Sequence, residues 1–534
     1  MAEVATSLRR DIGRWGLVAL GISGVVGSGW LYAPFEAAKQ AGSASLIAWI
    51  IGAALMLIMG FCLAEIACAF PVSGSSAQVA TATHGRGMSL VNMWLLYFAY
   101  VATPAIEATS IVTYSAVYLP WMIVGKEANL SLAGQGVTIL LVGFFTVLNF
   151  FGVRWFIRIN SWITWWKLAI PIGVAIALLC TRFESKNFTS SGIDRDPITL
   201  QNLLGALSSG GIIFTLCGFR IIADLAAESR NPGKDIPFAF LVATLFSVVL
   251  YLVVQIAFIG ALDVSSISQG WSQLQLSQDN APFIAILMIA GLPLLAKVLY
   301  VDAIISPGGS CLAYVASTGR IGYAAAQQSF APKIFLALTK SGVPIVSLLV
   351  CWGVSAIIVL TYPKWDQLAK LNTAAYFLSV ITVPVSVAVI RRLDPTGHRP
   401  FRLPGGIVMC AVAFATNVLI VYWSGIWSFA PLMGILAVIM LIAVITPRIR
   451  GTAPIITNWR PLRWLIPTII TLLVIGVFGN KDFGGSGWLP GSLDSAIIGV
   501  LSIGLFILAI HSTRPAKEVQ SELAVLRAVA NKSN

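Results

Sequence analysis

The sequence predicts an all-α polytopic membrane protein with about fourteen transmembrane helices, ten of them forming an inverted five-helix repeat. Three observations lead there. Apolar residues make up 57% of the 534 residues and charged ones 10%, with a mean hydropathy of +0.87, which no soluble domain of this length sustains. The apolar residues fall into runs of about 20, the length that crosses a bilayer's hydrocarbon. Two of those runs, five spans apart, are interrupted by glycine at corresponding positions.

In order, the runs are 14–38, 43–70, 88–120, 132–152, 160–181, 199–227, 236–262, 282–318, 344–361, 367–390, 406–424, 428–447, 463–480 and 492–511. The first is expected to be a membrane helix rather than a cleaved leader, because another span follows at once without a small-residue cleavage site. An even number of crossings puts both termini on one side. Lys and Arg concentrate in that side's loops, with Arg391, Arg392, Arg399 and Arg402 in one and Arg448, Arg450, Arg460 and Arg463 in another. The positive-inside rule then places residues 1–13 and the tail 512–534 in the cytoplasm. Within the tail, Val519 to Val529 is amphipathic and is expected as a cytoplasmic or interfacial helix. The net charge of +13 follows from this topology and implies no nucleic-acid partner.

Spans one to five and six to ten each read as a unit beginning with a broken helix, and an odd number of crossings per unit inverts the second against the first. Residues 14–390 are the expected repeat core, 391–447 add spans eleven and twelve, and 448–511 add two more. The seven cysteines lie in or beside spans with no metal-type spacing, so no disulfide, metal or cofactor is expected. His84, His398 and His511 are read as loop or span-end residues, and none has a metal motif or nucleophile beside it, which argues against an enzyme.

In a bilayer, backbone groups freed by a broken helix must find partners within the protein or a water-lined cavity. A first helix that stops near Val25 and resumes near Trp30 leaves the amides of Gly27, Ser28 and Gly29 as donors at a positive helix N-terminus, where a carboxylate fits. The same glycines also suit close helix packing. In the sixth span, Ser208 to Arg220, the carbonyls around Ile213, Phe214 and Thr215 are expected to face an ammonium group, with Gly218 close behind. Phe214 is equally readable as a packing residue.

Ionisable groups inside spans are costly and retained for a partner or a task. Lys167 in span five is either a proton site or a structural lysine on helix-one carbonyls. Arg220 either grips a second carboxylate or pairs with Asp224 four residues on. Glu107 shares a helix face with Tyr97, Tyr100 and Pro104, which reads as a polar path or an aromatic-lined contact. Asp302, near the break-prone Ser306-Pro307-Gly308-Gly309, is a further candidate for proton relay. Lys297, five residues before it, points about 140° away. Glu65 and Glu228 read as anchors at cytoplasmic ends.

Four pieces of sequence resemble one known family. They are Gly24-Val25-Val26-Gly27-Ser28-Gly29-Trp30, Phe70-Pro71-Val72-Ser73-Gly74, Cys217-Gly218-Phe219 leading to Ala227-Glu228-Ser229-Arg230-Asn231-Pro232-Gly233-Lys234-Asp235-Ile236-Pro237, and the loop from Arg391-Arg392 to Arg399-Pro400-Phe401-Arg402-Leu403-Pro404. Over roughly residues 8–445 the chain resembles the amino acid, polyamine and organocation permeases. Arg220 and the stretch from Asp302 to Ser310 resemble a fourteen-span branch that includes aspartate:proton symporters. The resemblance implies an inverted-repeat transporter fold, an aromatic gate at Phe214 and a coupling lysine at Lys167 against the first helix. Arg220 stands where many members carry a glutamate, so that acid's role does not transfer. The implied activity is proton-coupled symport of an acidic amino acid in a bacterial inner membrane. Symport or exchange of neutral amino acids, or a transport-silent sensor, are the alternatives. The partners implied are the amino acid, a proton and the lipid bilayer; oligomeric state is left open.

Overall fold

The computed structural model describes residues 10–532 apart from 73, 126–127, 151–152, 189–198, 340–341, 451–453, 455, 457 and 491, and no side chains over 153–162, 446–450 and 531–532. Most of the N-terminal segment 1–13, Ser73 of the second motif and the side chains of Arg448 and Arg450 therefore lie outside the described residues. In chain order the helices are α1 (Arg14–Val25), α2 (Gly29–Ala41), α3 (Ser45–Ala69), α4 (Ser75–Ser115), α5 (Leu132–Phe150), α6 (Val153–Thr181), α7 (Leu200–Ser208), α8 (Ile212–Leu216), α9 (Arg220–Asp224), α10 (Pro232–Ala261), α11 (Pro282–Ile289), α12 (Pro293–Gln327), α13 (Ile345–Thr361), α14 (Trp365–Ser379), α15 (Thr382–Leu393), α16 (Gly406–Trp423), α17 (Ile426–Arg450), α18 (Leu465–Phe478), α19 (Leu493–His511) and α20 (Ala516–Lys532). A two-residue hairpin, Ile123–Val124 against Asn129–Leu130, is antiparallel with Ile123 opposite Leu130.

The fold is all-α and polytopic, as expected. Among the described residues, eleven helices are long and apolar enough to cross a membrane, or twelve with the bent pair Leu200–Ser208 and Ile212–Asp224. Arg14–Val25 and Ile345–Thr361 fall short of that length, so helix length alone does not carry a count of fourteen. Outward faces expose Leu140, Phe144 and Val147 on α5 and Ile466, Ile470 and Val474 on α18. Apolar strips of this kind suit lipid rather than water.

Both expected helix breaks are present. Val26 leaves the helical region at φ −91°, ψ 101°, and α2 restarts at Gly29. The sixth span bends by 47° at Ser209–Gly211, where Gly211 takes φ +74°, a value that favours glycine. It is interrupted again by a 3-10 turn at Cys217–Phe219. Packing groups α1, α3 and α10 together, while α12 lies along α4 beside α5 and α13, and α14 leans on α4. The two breaks sit between these groups.

Three expectations need correction. Helix α4 begins at Ser75 and runs through a kink at Gly85 (φ +81°), so His84 is helical and buried, with Nε2 3.3 Å from the Ala509 carbonyl. The run 282–318 divides at Gly291 (φ +73°) into α11 and α12. Finally, α12 passes unbroken through Ser306-Pro307-Gly308-Gly309. A Cβ on Gly308 would lie 3.1 Å from Phe145, and one on Gly309 would lie 2.7 Å from Ile163. These glycines permit close packing instead of freeing backbone groups.

The expected tail helix, Ala516–Lys532, is docked. Val519 and Leu523 are fully buried, Arg527 pairs with Asp394, and the Arg514 amide donates to Thr83 O at 3.1 Å. Nearby, buried Glu65 accepts from Arg391 Nε at 2.9 Å and from the Leu403 amide at 2.7 Å, tying the end of α3 to the end of α15 and the loop beyond it.

Candidate functional site

The two breaks meet at glycine. A Cβ on Gly24 would lie 2.8 Å from Gly218 O, and one on Gly218 would lie 2.6 Å from Val25 N, so the backbones touch where no side chain fits. Beside this crossing is a cavity of about 30 Å³ lined by Gly24, Val25, Gly27, Gly29, Thr103, Glu107, Phe214, Thr215, Cys217, Gly218, Tyr314 and Asn372. Six of the eight expected binding residues line it: Val25, Gly27, Gly29, Phe214, Thr215 and Gly218. Its volume is about one water's share, so the site is closed down around a space much smaller than an amino acid.

Ser28 is fully buried next to the cavity, and its amide already has a partner. The N–H donates to Glu107 Oε2 at 2.9 Å. A carboxylate of the protein thus occupies the place where the sequence puts an incoming one. Gly27 makes this approach possible, because a Cβ there would lie 2.7 Å from Glu107 Oε1 and 3.0 Å from Ser310 Oγ. The Val25 carbonyl accepts from Tyr251 Oη at 3.1 Å.

In the sixth span Ile213, Phe214 and Thr215, whose carbonyls are expected to face an ammonium group, lie within α8. The Phe214 carbonyl accepts from the Cys217 amide, and Thr215 Oγ1 donates to Gly211 O at 2.8 Å. Phe214 meets Trp365 edge-on with ring centroids 5.6 Å apart. Trp365 Nε1 donates to Ser28 Oγ at 3.0 Å, and its ring stacks on Tyr32 at 5.1 Å.

Trp365 also lines a larger cavity, about 300 Å³, together with Tyr32, Phe35, Glu36, Lys39, Lys364, Asp366 and Asp279. Both charge signs face it, with Lys370 Nζ 3.3 Å from Asp366. Burial raises the Asp279 carboxyl in the adjoining loop, partly offset by the Leu276 amide that donates to it at 2.6 Å. Trp365 lines this larger cavity and is linked to the small one through its contacts with Phe214 and Ser28.

The expected proton-coupling residues divide into separate places. Buried Lys167 donates from Nζ to Ser310 Oγ at 2.7 Å, so it reaches the first helix through α12 rather than directly. Glu107 completes that cluster. Asp302, fully buried on α12, has both carboxylate oxygens outside hydrogen-bond geometry among the described residues, as do the indole nitrogens of Trp30 and Trp166 beside it. Asp224 is apart from these. Arg220 Nε lies 3.4 Å from Asp224 Oδ1, Tyr100 Oη donates to Asp224 Oδ2 at 2.9 Å, and the guanidinium carbon sits 6.0 Å from the Tyr376 ring centroid. Arg220 is buried but does not line the small cavity. Lys297 is exposed near the start of α12.

Sequence reasoning missed Trp365, Ser310, Thr103, Tyr314 and Asn372. Asn372 donates to Ala99 O and Thr103 Oγ1 at 2.6 and 3.0 Å. An asparagine within an apolar span was the available signal.

The family profile described as amino acid permease matches residues 12–432. The glutamate/serine transporter AimA of Bacillus subtilis (strain 168) is 32% identical over 97% of this chain and 97% of its own length. The aspartate-proton symporter of the same organism is 28% identical over 95% of this chain and 98% of its own. The D-serine/D-alanine/glycine transporter of Escherichia coli (strain K12) is 22% identical over 79% and 89%. These relatives are transporters rather than enzymes. With a profile match over most of its length and a relative similar from end to end, the chain belongs to the amino acid permease family.

Proposed function

We propose that this permease is a proton-coupled amino acid symporter with a preference for acidic substrates. The observation that carries it is the meeting of two broken helices at Gly24 and Gly218 beside a cavity lined by Gly27, Gly29, Phe214 and Thr215. The substrate's carboxylate would sit at the start of α2, where backbone donors and the helix dipole favour an anion. Residues 14–390 would form the inverted-repeat transport core, with 391–447 and 448–511 supplying spans eleven to fourteen. In that topology α1 with α2 and α7 to α9 each count as one span, α3 and α13 are full spans, and both termini face the cytoplasm of a bacterial inner membrane. The 300 Å³ cavity is then the outer vestibule, and Trp365 with Phe214 closes the site beneath it. Glu107, Lys167 and Ser310 would handle the proton at the first break, and Asp302 would be a relay.

The acidic preference is argued from Arg220. Its Nη1 has no hydrogen-bond partner among the described residues, and it neighbours Tyr314 and Cys217 of the cavity wall through Tyr376. A guanidinium freed from Asp224 can take a side-chain carboxylate bidentately. The names of two relatives, aspartate-proton symporter and glutamate/serine transporter, agree with that choice. The second reading, neutral amino acid symport or exchange, draws on the Arg220–Asp224 pair and on serine in one of those names.

Uptake of aspartate, glutamate and serine into proteoliposomes under an imposed pH gradient tests both. Gradient-driven entry of the acidic pair, lost in Arg220→Gln while serine entry persists, is expected. Failure of aspartate and glutamate to enter or compete would overturn the acidic reading. Stimulation by sodium with indifference to pH would overturn proton coupling.

A further inference from the structure

We propose that Glu107 is a built-in surrogate for the substrate's carboxylate, and that a proton must neutralise it before the amino acid can take its seat. The proposal rests on the transport reading above and concerns how the proton and the substrate are tied together.

The seat is the N-terminus of α2, a helix of 13 residues. Its buried Ser28 amide is taken at 2.9 Å by Glu107 Oε2, and Glu107 Oε1 presses on the place where any side chain at residue 27 would begin. Glu107 itself lines the closed cavity. A substrate carboxylate arriving there would come within hydrogen-bond distance of another carboxylate, and two such groups cannot both remain ionised in a buried site. Either the substrate stays out, or one carboxylate accepts a proton.

Glu107 is the group that can move away. The titratable side chains near it are Lys167 from α6, Tyr251 from α10, and Cys311 and Tyr314 from α12; Ser28 faces it from the first helix and Thr103 from its own. Lys167 is the one opposite charge in this set, and its hydrogen bond goes to Ser310 Oγ at 2.7 Å. The Glu107 carboxylate therefore depends on Ser28, through its amide at 2.9 Å and its neighbouring hydroxyl, and the amide is the donor the substrate needs. In the coupled step, a proton from the outer solution bonds to a Glu107 oxygen. The neutral acid releases the Ser28 amide, and the substrate's carboxylate accepts that N–H in its place. On the inner side the substrate leaves, the proton passes to the cytoplasm, and the Glu107 carboxylate returns to Ser28. One proton moves with each amino acid, and the empty carrier closes on its own anion.

The test is binding of L-aspartate, L-glutamate and L-serine to the purified full-length protein in weakly buffered detergent, with proton uptake recorded at each addition. Wild type is expected to take up one proton per amino acid bound, and its affinity should fall about tenfold per pH unit on the alkaline side. Glu107→Gln keeps the shape and an acceptor oxygen but cannot ionise. It should bind without proton uptake and without the alkaline loss of affinity, and should exchange amino acids without accumulating them. Binding by wild type with no proton uptake would overturn the proposal even if the variant does not fold. So would undiminished proton uptake in Glu107→Gln, which would move the coupling to Lys167 or Asp302. If none of the three amino acids binds to wild type, the transport reading fails, and this inference with it.

Discussion

Replacing Trp365 with phenylalanine keeps an aromatic ring in the lining of the larger cavity, against Phe214, and removes the indole N–H that donates to Ser28 Oγ at 3.0 Å. Stacking on Tyr32 and the edge contact to Phe214 have a ring to act on in both proteins. The loss is one buried neutral hydrogen bond, on the order of 0.5–1.5 kcal/mol. If that bond is made only when the site is closed, removing it shifts the closed-to-open ratio by about two- to twelvefold. Cys217 supplies the readout, since it lines the closed cavity and is 7% exposed. In a Cys180→Ser background, which removes the exposed cysteine, a membrane-impermeant maleimide added from outside should label Cys217 faster in Trp365→Phe by that factor. Saturating substrate should slow labelling in both proteins. An unchanged rate, with Trp365→Ala no faster, would refute the assignment of Trp365 as the lid.

Two further substitutions and one control address the crossing and the anchor at the end of α3. Gly218→Ala puts a methyl group 2.6 Å from Val25 N, where backbone cannot yield; a cost of about 1–3 kcal/mol and loss of uptake are expected with insertion retained. Gly173→Ala, whose Cβ meets nothing within 4 Å, should match wild type in thermal stability and transport, and equal behaviour of the two would refute the close approach. Glu65→Gln leaves the Arg391 guanidinium without its carboxylate in a site where Glu65 is 3% exposed. Arg391 is itself 15% exposed and retains the Leu403 carbonyl at 2.9 Å, so the cost should be at the low end for a broken buried pair, about 3 kcal/mol. Faster proteolysis at Arg399 and Arg402 in the detergent-solubilised protein would register the freed loop, and unchanged cleavage would count against the anchor.

The helix breaks were legible because glycine is a poor helix former in an otherwise uniform apolar run. That signal led to Val25, Gly27, Gly29 and Gly218, all of which line the cavity. The same signal failed at Gly308 and Gly309, where the helix continues and the missing side chains admit Phe145 and Ile163. A glycine pair has two uses in a membrane, and a single sequence does not separate them. Ser28 shows a different limit. Its amide was identified as a free donor, but its partner lies 79 residues away on another helix, and no spacing rule links the two. Trp365, 337 residues from Ser28, reads in isolation as one more aromatic at a span's end. Buried ionisable groups were found because their cost in an apolar run is visible locally; which of them meet is decided by packing, which gathers Glu107 with Lys167 and leaves Asp224 with Arg220.

The closed site is held at the tip of the first break by three hydrogen bonds from three different helices: Tyr251 to the Val25 carbonyl, Trp365 to the Ser28 hydroxyl, and the Ser28 amide to Glu107. Each is worth about 1 kcal/mol net, somewhat more for the charged one. A few kcal/mol is also the range over which a ligand shifts a two-state equilibrium by its difference in affinity. On the transport reading proposed above, opening exchanges these local bonds beside a crossing at Gly24 and Gly218 that leaves no room for a side chain. A substrate that replaces only one of them would bind weakly without moving the carrier. One that brings a carboxylate for Ser28, with a proton to release Glu107, removes a bond of the closed state while supplying its substitute. The empty carrier has that bond already, from its own acid, which is why leakage of protons without substrate is the outcome this arrangement opposes.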